Sequence, residues 1–231
     1  MNSETANCDE LELRGLSRAG AWDYENGYHW FSEPARFNKM LAHYELYKRI
    51  VDLPGDILEF GVFKANSLIR FATFRRLLEN EDSRAIRGFD AFGAFPRGNV
   101  QHEADISFIR RFEGEAGDGL SESEVRQLCV AKGFTNIELV AGDVFDTLPA
   151  FLARRPSTRI ALLHLDMDVR EPTEFALDQL FERVVPGGLI VFDDYGSVAG
   201  ASDVADALCA RFGLRMEKLP FYAVPAFVTK P

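Results

Sequence analysis

The chain has 231 residues, of which 47% are hydrophobic and 27% are charged, and its formal net charge at pH 7 is −10. This length suits one or two domains, and the negative charge argues against nonspecific binding to nucleic acid or to an anionic membrane surface. No apolar run approaches the roughly 18 residues of a membrane-spanning helix, and the acidic N-terminus lacks the layout of a signal peptide. Cys8, Cys129 and Cys209 lie far apart, which favours reduced thiols and predicts a cytoplasmic protein.

The first part of the chain is predicted to be an extension. Residues 1–20 are typical of a loose tail or an oligomer arm. The aromatic segment 21–33 either covers a pocket mouth or packs on the domain or on a partner subunit. A helix is predicted from Pro34, with its apolar residues on one face, until the Pro in segment 53–55 ends it. The sequence therefore predicts an N-terminal extension and lid over residues 1–53, followed by one main domain over residues 54–231.

Strand and helix patterns alternate through the main domain. Residues 93–120 are too long for an ordinary connection and are interpreted as an insertion over the active rim, helical around 106–112. The alternation predicts a doubly wound, mostly parallel seven-stranded α/β sheet. Its strands are predicted at 56–60, 85–89, 136–143, 159–165, 189–192, 214–219 and 223–229, its helices at 67–79, 121–131, 149–155, 172–185 and 202–212, and a turn at 186–188.

Two apolar runs of this domain stop abruptly at pairs of acids. One run is followed by Asp166 and Asp168, and the next strand by Asp193 and Asp194. Because ligands bind outside the carboxyl ends of parallel strands, two adjacent strands would bring four carboxylates to one rim. Such a rim suits a hard divalent cation, which prefers oxygen ligands, since close carboxylates repel unless a cation or protons neutralise them. The alternative is that each acid only caps the helix that follows.

The loop after the first predicted strand resembles those that approach nucleotides. Gly61 lacks a Cβ atom and would let a ligand come close to the backbone, while Glu59 is expected to point into the crevice. The loop has no G-x-G-x-x-G pattern, so a pyrophosphate cradle and a nicotinamide oxidoreductase are disfavoured.

The next two strand ends carry groups suited to a nucleoside. Asp90 can bind the two hydroxyl groups of a ribose, with Phe92 packed on an adenine ring. Asp143 can accept a hydrogen bond from the adenine amino group, and Val144 offers an apolar face; a plain turn residue is the alternative for each acid. An acidic rim without a phosphate cradle indicates a cofactor that bears positive charge, and S-adenosylmethionine is the candidate.

The chain resembles the macrocin O-methyltransferase family of class I, Rossmann-like methyltransferases in four stretches: GDILEFGVFKANSL, GFDAFGAFP, VAGDVFDTLP and LLHLDMDVREPTEFALDQLFERVVPGGLIVFDDYG. The resemblance covers about residues 54–231. It implies an S-adenosylmethionine-dependent, divalent-metal-dependent O-methyltransferase whose partner is a small molecule with a sugar or vicinal-diol hydroxyl group. A catechol-like phenol is the alternative acceptor, and a catalytically silent binding subunit is the alternative role.

Residue by residue, the resemblance implies Asp166, Asp193 and Asp194 as ligands of Mg²⁺ or a similar cation. Asp168 would lie beside them and touch either the cofactor or the substrate. Independently of the resemblance, a carboxylate such as Asp168 is our candidate to accept the proton of the acceptor hydroxyl group. The same resemblance implies a cofactor site lined by Glu59, Gly61, Ser67, Asp90, Phe92 and Asp143.

The chain departs from the family at Ala65 and Asn66, where two glycines are usual, and at Val169, where the related catechol enzymes place a lysine base. His164 is interpreted as a buried core residue. His29, His43 and His102 are alternative bases, Arg170 is a candidate partner for an anionic substrate group, and the aromatic segment allows a homo-oligomer.

Overall fold

The computed structural model describes residues 11–96 and 98–231, so Cys8 and the first half of the predicted tail lie outside the described residues. A short hairpin and two helices come first: β1 (Glu12–Leu13), β2 (Leu16–Ser17), α1 (Ala21–Phe31) and α2 (Pro34–Lys48). The main domain follows with β3 (Asp56–Phe60), α3 (Asn66–Leu78), β4 (Ile86–Asp90), α4 (Glu103–Ala116), α5 (Glu122–Ala131), β5 (Ile137–Ala141), α6 (Val144–Arg154), β6 (Ile160–Leu165), α7 (Arg170–Leu180), β7 (Val184–Phe192), α8 (Ala199–Phe212), β8 (Glu217–Leu219) and β9 (Tyr222–Thr229).

Within the described residues, seven strands form one sheet in the order β5-β4-β3-β6-β7-β9-β8. The first five strands of that order are parallel, whereas β9 is antiparallel to both β7 and β8. The doubly wound, mostly parallel seven-stranded sheet predicted from the sequence is therefore confirmed. No helix in this part of the chain is long and apolar enough to cross a membrane.

Alternate strand residues point to opposite faces of the sheet and enter two separate cores. Ile57 and Leu162 belong to a cluster with α2, α3 and α5, whereas Leu58 and Leu163 belong to a cluster with α6, α7 and α8. Because helices cover both faces, the central strands are mostly apolar, with Glu59 and His164 as buried exceptions on β3 and β6, which is why their runs stand out in the sequence.

Helix α2 is integrated into the main domain. Its residues Ala42, Leu46 and Tyr47 are almost completely buried in the cluster shared with α3 and the sheet. Although the sequence assigns this helix to the extension, its apolar face is thus part of the domain core, and α2 reaches the rim where the strands end.

Arg84 holds the end of this segment against the sheet. Its buried guanidinium group pairs with Glu79 at 2.7 Å and donates hydrogen bonds to the carbonyl oxygens of Ile50, Leu53 and Gly55 at 2.9 to 3.2 Å. A single buried side chain therefore supplies donors to a connection that has few regular hydrogen bonds of its own.

Three predicted helix boundaries are wrong. Helix α6 begins at Val144 instead of residue 149, because the carboxylate of Asp143 caps it. Helix α7 ends at Leu180, and residues 184–185, predicted to be helical, already belong to β7. Helix α8 begins at Ala199, three residues before the start predicted at residue 202.

The turn predicted at residues 186–188 is also wrong, because these residues lie inside β7. The register between β6 and β7 shifts there: Ile160 pairs with Val184, but Leu162 already pairs with Leu189. Gly187 N–H donates to the carbonyl oxygen of Lys230 at 2.8 Å. The extra residues are thus absorbed as a bulge and do not reverse the chain.

Candidate functional site

A cavity of about 540 Å³ opens at the carboxyl ends of β3, β4, β5 and β6. Its size is that of a pocket for a small molecule or cofactor. The insertion between β4 and α5 forms one wall, so the cavity lies between the sheet and a covering segment. Its lining includes Gly61, Asp90, Phe95, Phe112, Asp143, Val144, Asp166 and Asp168.

Asp90 organises two loops at the mouth of this cavity. Its Oδ2 accepts hydrogen bonds from the N–H groups of Val62 and Phe63 at 2.7 and 2.9 Å, and its Oδ1 accepts one from Phe92 N–H at 2.6 Å. A carboxylate offers about four lone-pair positions, so capacity remains for a ligand hydroxyl group. The ribose contact predicted for Asp90 stays a prediction, and the position of Asp90 in the cavity lining is compatible with it.

Gly61 is required by the neighbouring strand. Its φ is +92°, and a Cβ atom at this position would lie 1.8 Å from the carbonyl oxygen of Asp166. The N–H of Asp166 in turn donates to Phe60 at 2.8 Å, which keeps the two strand ends together. Four residues on, Ala65 adopts the left-handed region with φ +58°, which costs an L residue about 1 to 2 kcal/mol.

The end of β5 combines two roles. The carboxylate of Asp143 caps α6 by accepting from Phe145 N–H at 3.1 Å, and both Asp143 and Val144 line the cavity. Phe92 does not line it; the side chain is half-buried against the core, and Phe95 from the insertion takes the place at the wall. The predicted stacking of an aromatic ring on adenine is therefore better served by Phe95 than by Phe92.

Two other predicted cofactor residues lie behind the cavity wall. Glu59 is fully buried, and its Oε1 lies 3.4 Å from Nδ1 of His164 on β6, so it does not point into the crevice as predicted. Ser67, the second residue of α3, is 7% exposed. Neither is among the described residues that line the cavity, and a role of either toward a cofactor stays a prediction.

The ends of β6 and β7 bring together Asp166, Asp168, Asp193 and Asp194, which we call the carboxylate cluster. One carboxylate oxygen each from Asp166, Asp193 and Asp194 lies within 4.8 Å of the others. Asp168, at φ +64°, is turned so that its N–H donates to Asp194 Oδ2 at 3.0 Å. The strand pattern predicted this meeting of four acids; the bound metal ion stays a prediction.

Three of the four acids in the carboxylate cluster have raised pKa values, which indicates that their negative charges are not balanced by nearby positive groups. Burial and the charges of Asp193 and Asp194 hold the pKa of Asp166 well above its ordinary value, and burial with Asp168 and Asp193 does the same for Asp194. Burial and Asp166 raise the pKa of Asp168 to about 8. Burial also acts to raise the pKa of Asp193, but basic neighbours outweigh it and hold that pKa well below the ordinary value. An all-oxygen acidic set of this kind fits a divalent cation.

Three basic side chains face Asp193. Lys39 Nζ lies 2.5 Å from Oδ2, while Nε2 of His164 and Nε2 of His43 lie 3.6 and 3.8 Å from Oδ1. Burial alone would lower the pKa of His164, but its contacts with Asp193 and Glu59 raise it to about 10; burial lowers the pKa of His43 to about 4. At neutral pH a charged His164 therefore links two carboxylates, and His43 beside it is uncharged.

The sequence analysis did not single out Lys39, and it did not place His43 beside Asp193. Neither residue follows a strand, which was the pattern that pointed to the rim. Both lie on α2 with a spacing of four residues, which places them on one face. His43 is fully buried beside Ala42, so a polar residue within the apolar face of the helix was the available signal. His164 was correctly interpreted as buried, but its two carboxylate neighbours depend on strand register.

The insertion is fastened to the rim by two carboxylates. Asp105 of α4 is fully buried and accepts from Arg170 N–H at 2.9 Å and from Gly200 N–H at 3.1 Å, the first turns of α7 and α8. In return, Glu171 of α7 accepts from the N–H groups of residues 101 and 102 at 2.8 and 3.1 Å. The two contacts hold the covering segment beside the carboxylate cluster.

The remaining polar candidates have other neighbours. His29 packs against the rings of Tyr28 and Phe37. Nδ1 of His102 lies 3.0 Å from Asp105 in the fastening just described. The guanidinium group of Arg170 lies 3.8 and 3.7 Å from two exposed acids, Glu174 and Asp203, which would compete with an anionic substrate group.

The chain resembles several known proteins in sequence. One relative is the 8-demethyl-8-(2,3-dimethoxy-alpha-L-rhamnosyl)-tetracenomycin-C 4'-O-methyltransferase of Streptomyces olivaceus. It is 27% identical over 164 residues, which cover 70% of this chain and 60% of the relative. Another is the mycinamicin III 3''-O-methyltransferase of Micromonospora griseorubida. It is 30% identical over 149 residues, which cover 62% of this chain and 56% of the relative. The match thus spans less than two thirds of the length of these curated relatives.

Solved structures agree with this likeness. The calicheamicin methyltransferase CalS11 superposes with a TM-score of 0.68 at 25% identity, over 92% of this chain and 86% of that one. The O-methyltransferase NovP superposes with a TM-score of 0.71 at 24% identity, over 83% and 79%. A family model described as Macrocin-O-methyltransferase (TylF) matches residues 34–216, from the start of α2 to the last strands. Since this model accounts for most of the chain, the protein belongs to the macrocin O-methyltransferase family of class I methyltransferases.

Proposed function

We propose that this protein transfers a methyl group from S-adenosylmethionine to a hydroxyl group of a sugar-bearing small molecule, with a divalent cation such as Mg²⁺ held by the carboxylate cluster. The observation that carries the proposal is the meeting of this cluster with the cavity: Asp166 and Asp168 belong to both. The cavity is therefore bordered by an acidic set on one side and by the strand ends suited to a nucleoside on the other.

The cofactor end of the proposal is supported by Asp90 and Asp143, whose carboxylates line the cavity at two successive strand ends. Asp90 is suited to the ribose hydroxyl groups, Asp143 to the adenine amino group, and Val144 and Phe95 to the faces of the adenine ring. The positive sulfonium group of the cofactor would be stabilised by the acidic surroundings.

The sugar end of the proposal is supported by the relatives. The Streptomyces olivaceus enzyme is named for a rhamnosyl-bearing tetracenomycin, and a second, apo structure of CalS11, which aligns at 27% identity, is described as that of a TDP-rhamnose 3'-O-methyltransferase. A sugar offers neighbouring hydroxyl groups, which suit a hard cation as a pair of oxygen ligands. A glycoside or a nucleotide-sugar is therefore the proposed class of acceptor.

Asp166, Asp193 and Asp194 would hold the cation, because three of their oxygens lie close enough together to share one ion. The pKa values of Asp166 and Asp194, held above the ordinary range by burial and like charge, mark carboxylates that a cation would stabilise. When bound, the ion would lower the pKa of an acceptor hydroxyl group and orient it.

Asp168 is the proposed proton acceptor. S-adenosylmethionine would supply the methyl group to the acceptor oxygen, with its carbon–sulfur bond broken, and the carboxylate of Asp168 would take up the hydroxyl proton. Burial and the charge of Asp166 raise the pKa of Asp168 above its ordinary value, which makes its carboxylate a stronger proton acceptor than an ordinary aspartate. The contact of its N–H with Asp194 fixes its position beside the cation ligands.

Calorimetric titration of S-adenosylhomocysteine, with and without Mg²⁺, tests the proposal on the wild type, on Asp193→Asn and on Asp178→Asn. Asp178 is an exposed acid of α7 that pairs with Arg211 and is not a member of the cluster, so it serves as the control. We expect cofactor binding in all three proteins and a separate heat of Mg²⁺ binding that only Asp193→Asn loses.

Cofactor binding with no Mg²⁺ heat in the wild type would refute the metal part of the proposal alone. No cofactor binding would refute the whole proposal. A screen of glycosides and nucleotide-sugars by mass spectrometry then identifies the methylated product. Cofactor binding without any methyl transfer across that screen would favour a silent binding subunit.

A further inference from the structure

We infer that Lys39 is the resident cation of the carboxylate cluster, and that a divalent ion binds there only by displacing its ammonium group from Asp193. The inference rests on the proposed function in so far as that function assigns a divalent ion to the cluster. It adds a residue from α2 to the events at the site.

The position of the ammonium group carries the inference. Lys39 Nζ lies 2.5 Å from Asp193 Oδ2, and Asp193 is one of the three acids that would hold the ion. The other oxygen of Asp193 faces His164 and His43, so both oxygens already have a basic neighbour. An ammonium group and a divalent ion on the same carboxylate repel each other, so the two cations compete for Asp193.

The charges of the cluster favour exchange of the two cations over a permanent ion pair. Four carboxylates meet at this rim, and Lys39 touches only Asp193 among them. A divalent ion would contact Asp166, Asp193 and Asp194 at once, which a single ammonium group does not do. The lysine thus balances only part of the negative charge of the cluster. A divalent ion would carry twice its positive charge and would lie among three carboxylates.

The chain also allows the lysine to leave without moving its helix. The side chain of Lys39 is 28% exposed, whereas Asp193 is 5% exposed, and the lysine stem has four flexible carbons. Helix α2 itself is anchored through Ala42 and Leu46, which are almost fully buried. Displacement therefore requires only that the side chain rotates toward solvent while α2 stays packed.

The test is the affinity for Mn²⁺ alone, measured by the loss of the free Mn²⁺ signal in electron paramagnetic resonance at about pH 8. The proteins are the full-length wild type, Lys39→Met and Lys48→Met. Lys48 lies on the same helix and pairs with exposed Glu45, so it controls for loss of a positive charge on α2. We expect Lys39→Met to bind Mn²⁺ about tenfold more tightly than wild type, and Lys48→Met to match wild type.

An unchanged or weaker affinity in Lys39→Met would overturn the inference, and so would the same gain in Lys48→Met. No Mn²⁺ binding in any of the proteins would also overturn it, since no ion would then displace the lysine. If circular dichroism shows that Lys39→Met does not fold, Lys39→Gln replaces it with the same expected result.

The binding of S-adenosylhomocysteine to the same samples separates this inference from the proposed function. Tighter Mn²⁺ binding in the variant without any cofactor binding would support the exchange of cations and reject the methyltransferase. Cofactor binding with equal Mn²⁺ affinity in wild type and variant would reject the exchange and leave the methyltransferase in place.

Discussion

Replacing Asp105 by alanine should unfasten the insertion from the rim of the cavity. The buried carboxylate accepts hydrogen bonds from Arg170 N–H and Gly200 N–H, at the first turns of two different helices. Both donors belong to the groups that a helix leaves without an internal partner. Removing this carboxylate leaves the N–H groups of Arg170 and Gly200 without an acceptor and detaches α4 from the starts of α7 and α8.

The expected loss of stability follows from these two contacts. A capping acceptor contributes about 0.5 to 2 kcal/mol to stability, and burial places each Asp105 contact toward the upper end, so Asp105→Ala should cost about 3 kcal/mol. For a chain of this length that corresponds to a fall in Tm of roughly 6 to 12 °C. Asp105→Asn keeps the shape and one acceptor oxygen, and should lose about half as much.

Thermal unfolding followed by circular dichroism measures the effect, with Asp203→Ala as the matched control. Asp203 is an acid at the same corner but is 58% exposed, so its loss should cost less than about 0.5 kcal/mol. The reasoning is refuted if Asp105→Ala melts within about 2 °C of wild type, or if Asp105→Asn loses as much as Asp105→Ala. Since α4 borders the cavity, the alanine variant should also bind S-adenosylhomocysteine more weakly.

Other substitutions test the remaining contacts. Gly61→Ala should abolish the cooperative thermal transition or lower Tm by more than about 10 °C, because its Cβ would meet the carbonyl oxygen of Asp166 at 1.8 Å; a wild-type melting curve would contradict this. Arg84→Met removes the ion-pair partner of the buried carboxylate of Glu79, which keeps only the hydrogen bond from the Tyr47 hydroxyl group, and should cost about 3 to 5 kcal/mol in urea unfolding; a loss below about 1 kcal/mol would speak against it. Asp90→Ala releases the two loops at the cavity mouth and should weaken S-adenosylhomocysteine binding at least tenfold in calorimetry, whereas an unchanged Kd would remove Asp90 from the cofactor site. Since burial and like charge raise the pKa values of Asp166 and Asp194, protons compete with an ion for these carboxylates; Mn²⁺ affinity should therefore rise with pH, and a flat profile would contradict the assignment.

Much of the sheet and the meeting of the acids were predictable because both depend on local patterns. A central strand with both faces covered leaves an uninterrupted apolar run, and the acid after it must lie at the carboxyl edge. That reasoning correctly brought Asp166 and Asp193 together. It did not show that His164 lies between Asp193 and Glu59. That arrangement depends on the register of β3 with β6, in which Glu59 and His164 are directly paired. Lys39 arrives on a helix whose position no local pattern specifies.

The start of α8 shows the same limit for helices. Ser202 and the acid after it look like a cap, but the helix already begins at Ala199, where no side chain of its own segment caps it. The N–H of Gly200 is satisfied by Asp105 of the insertion. Where the acceptor for a helix start comes from a distant element, capping rules applied to the neighbouring sequence place the boundary too late. Helix α5 is the contrasting case: its capping box, Ser121 with Glu124, is local, and the helix begins at Glu122, next to the start predicted at residue 121.

The glycine after β3 also bears on how related sequences are interpreted. The backbone of the adjacent strand occupies the volume that a side chain at position 61 would need, so the demand for glycine arises from the joining of two strands. A descendant of this fold that had stopped binding any cofactor would face the same demand. Glycine at this position is therefore a marker of the architecture, and the acids beyond the strand ends are the better guide to whether a family member has kept its chemistry.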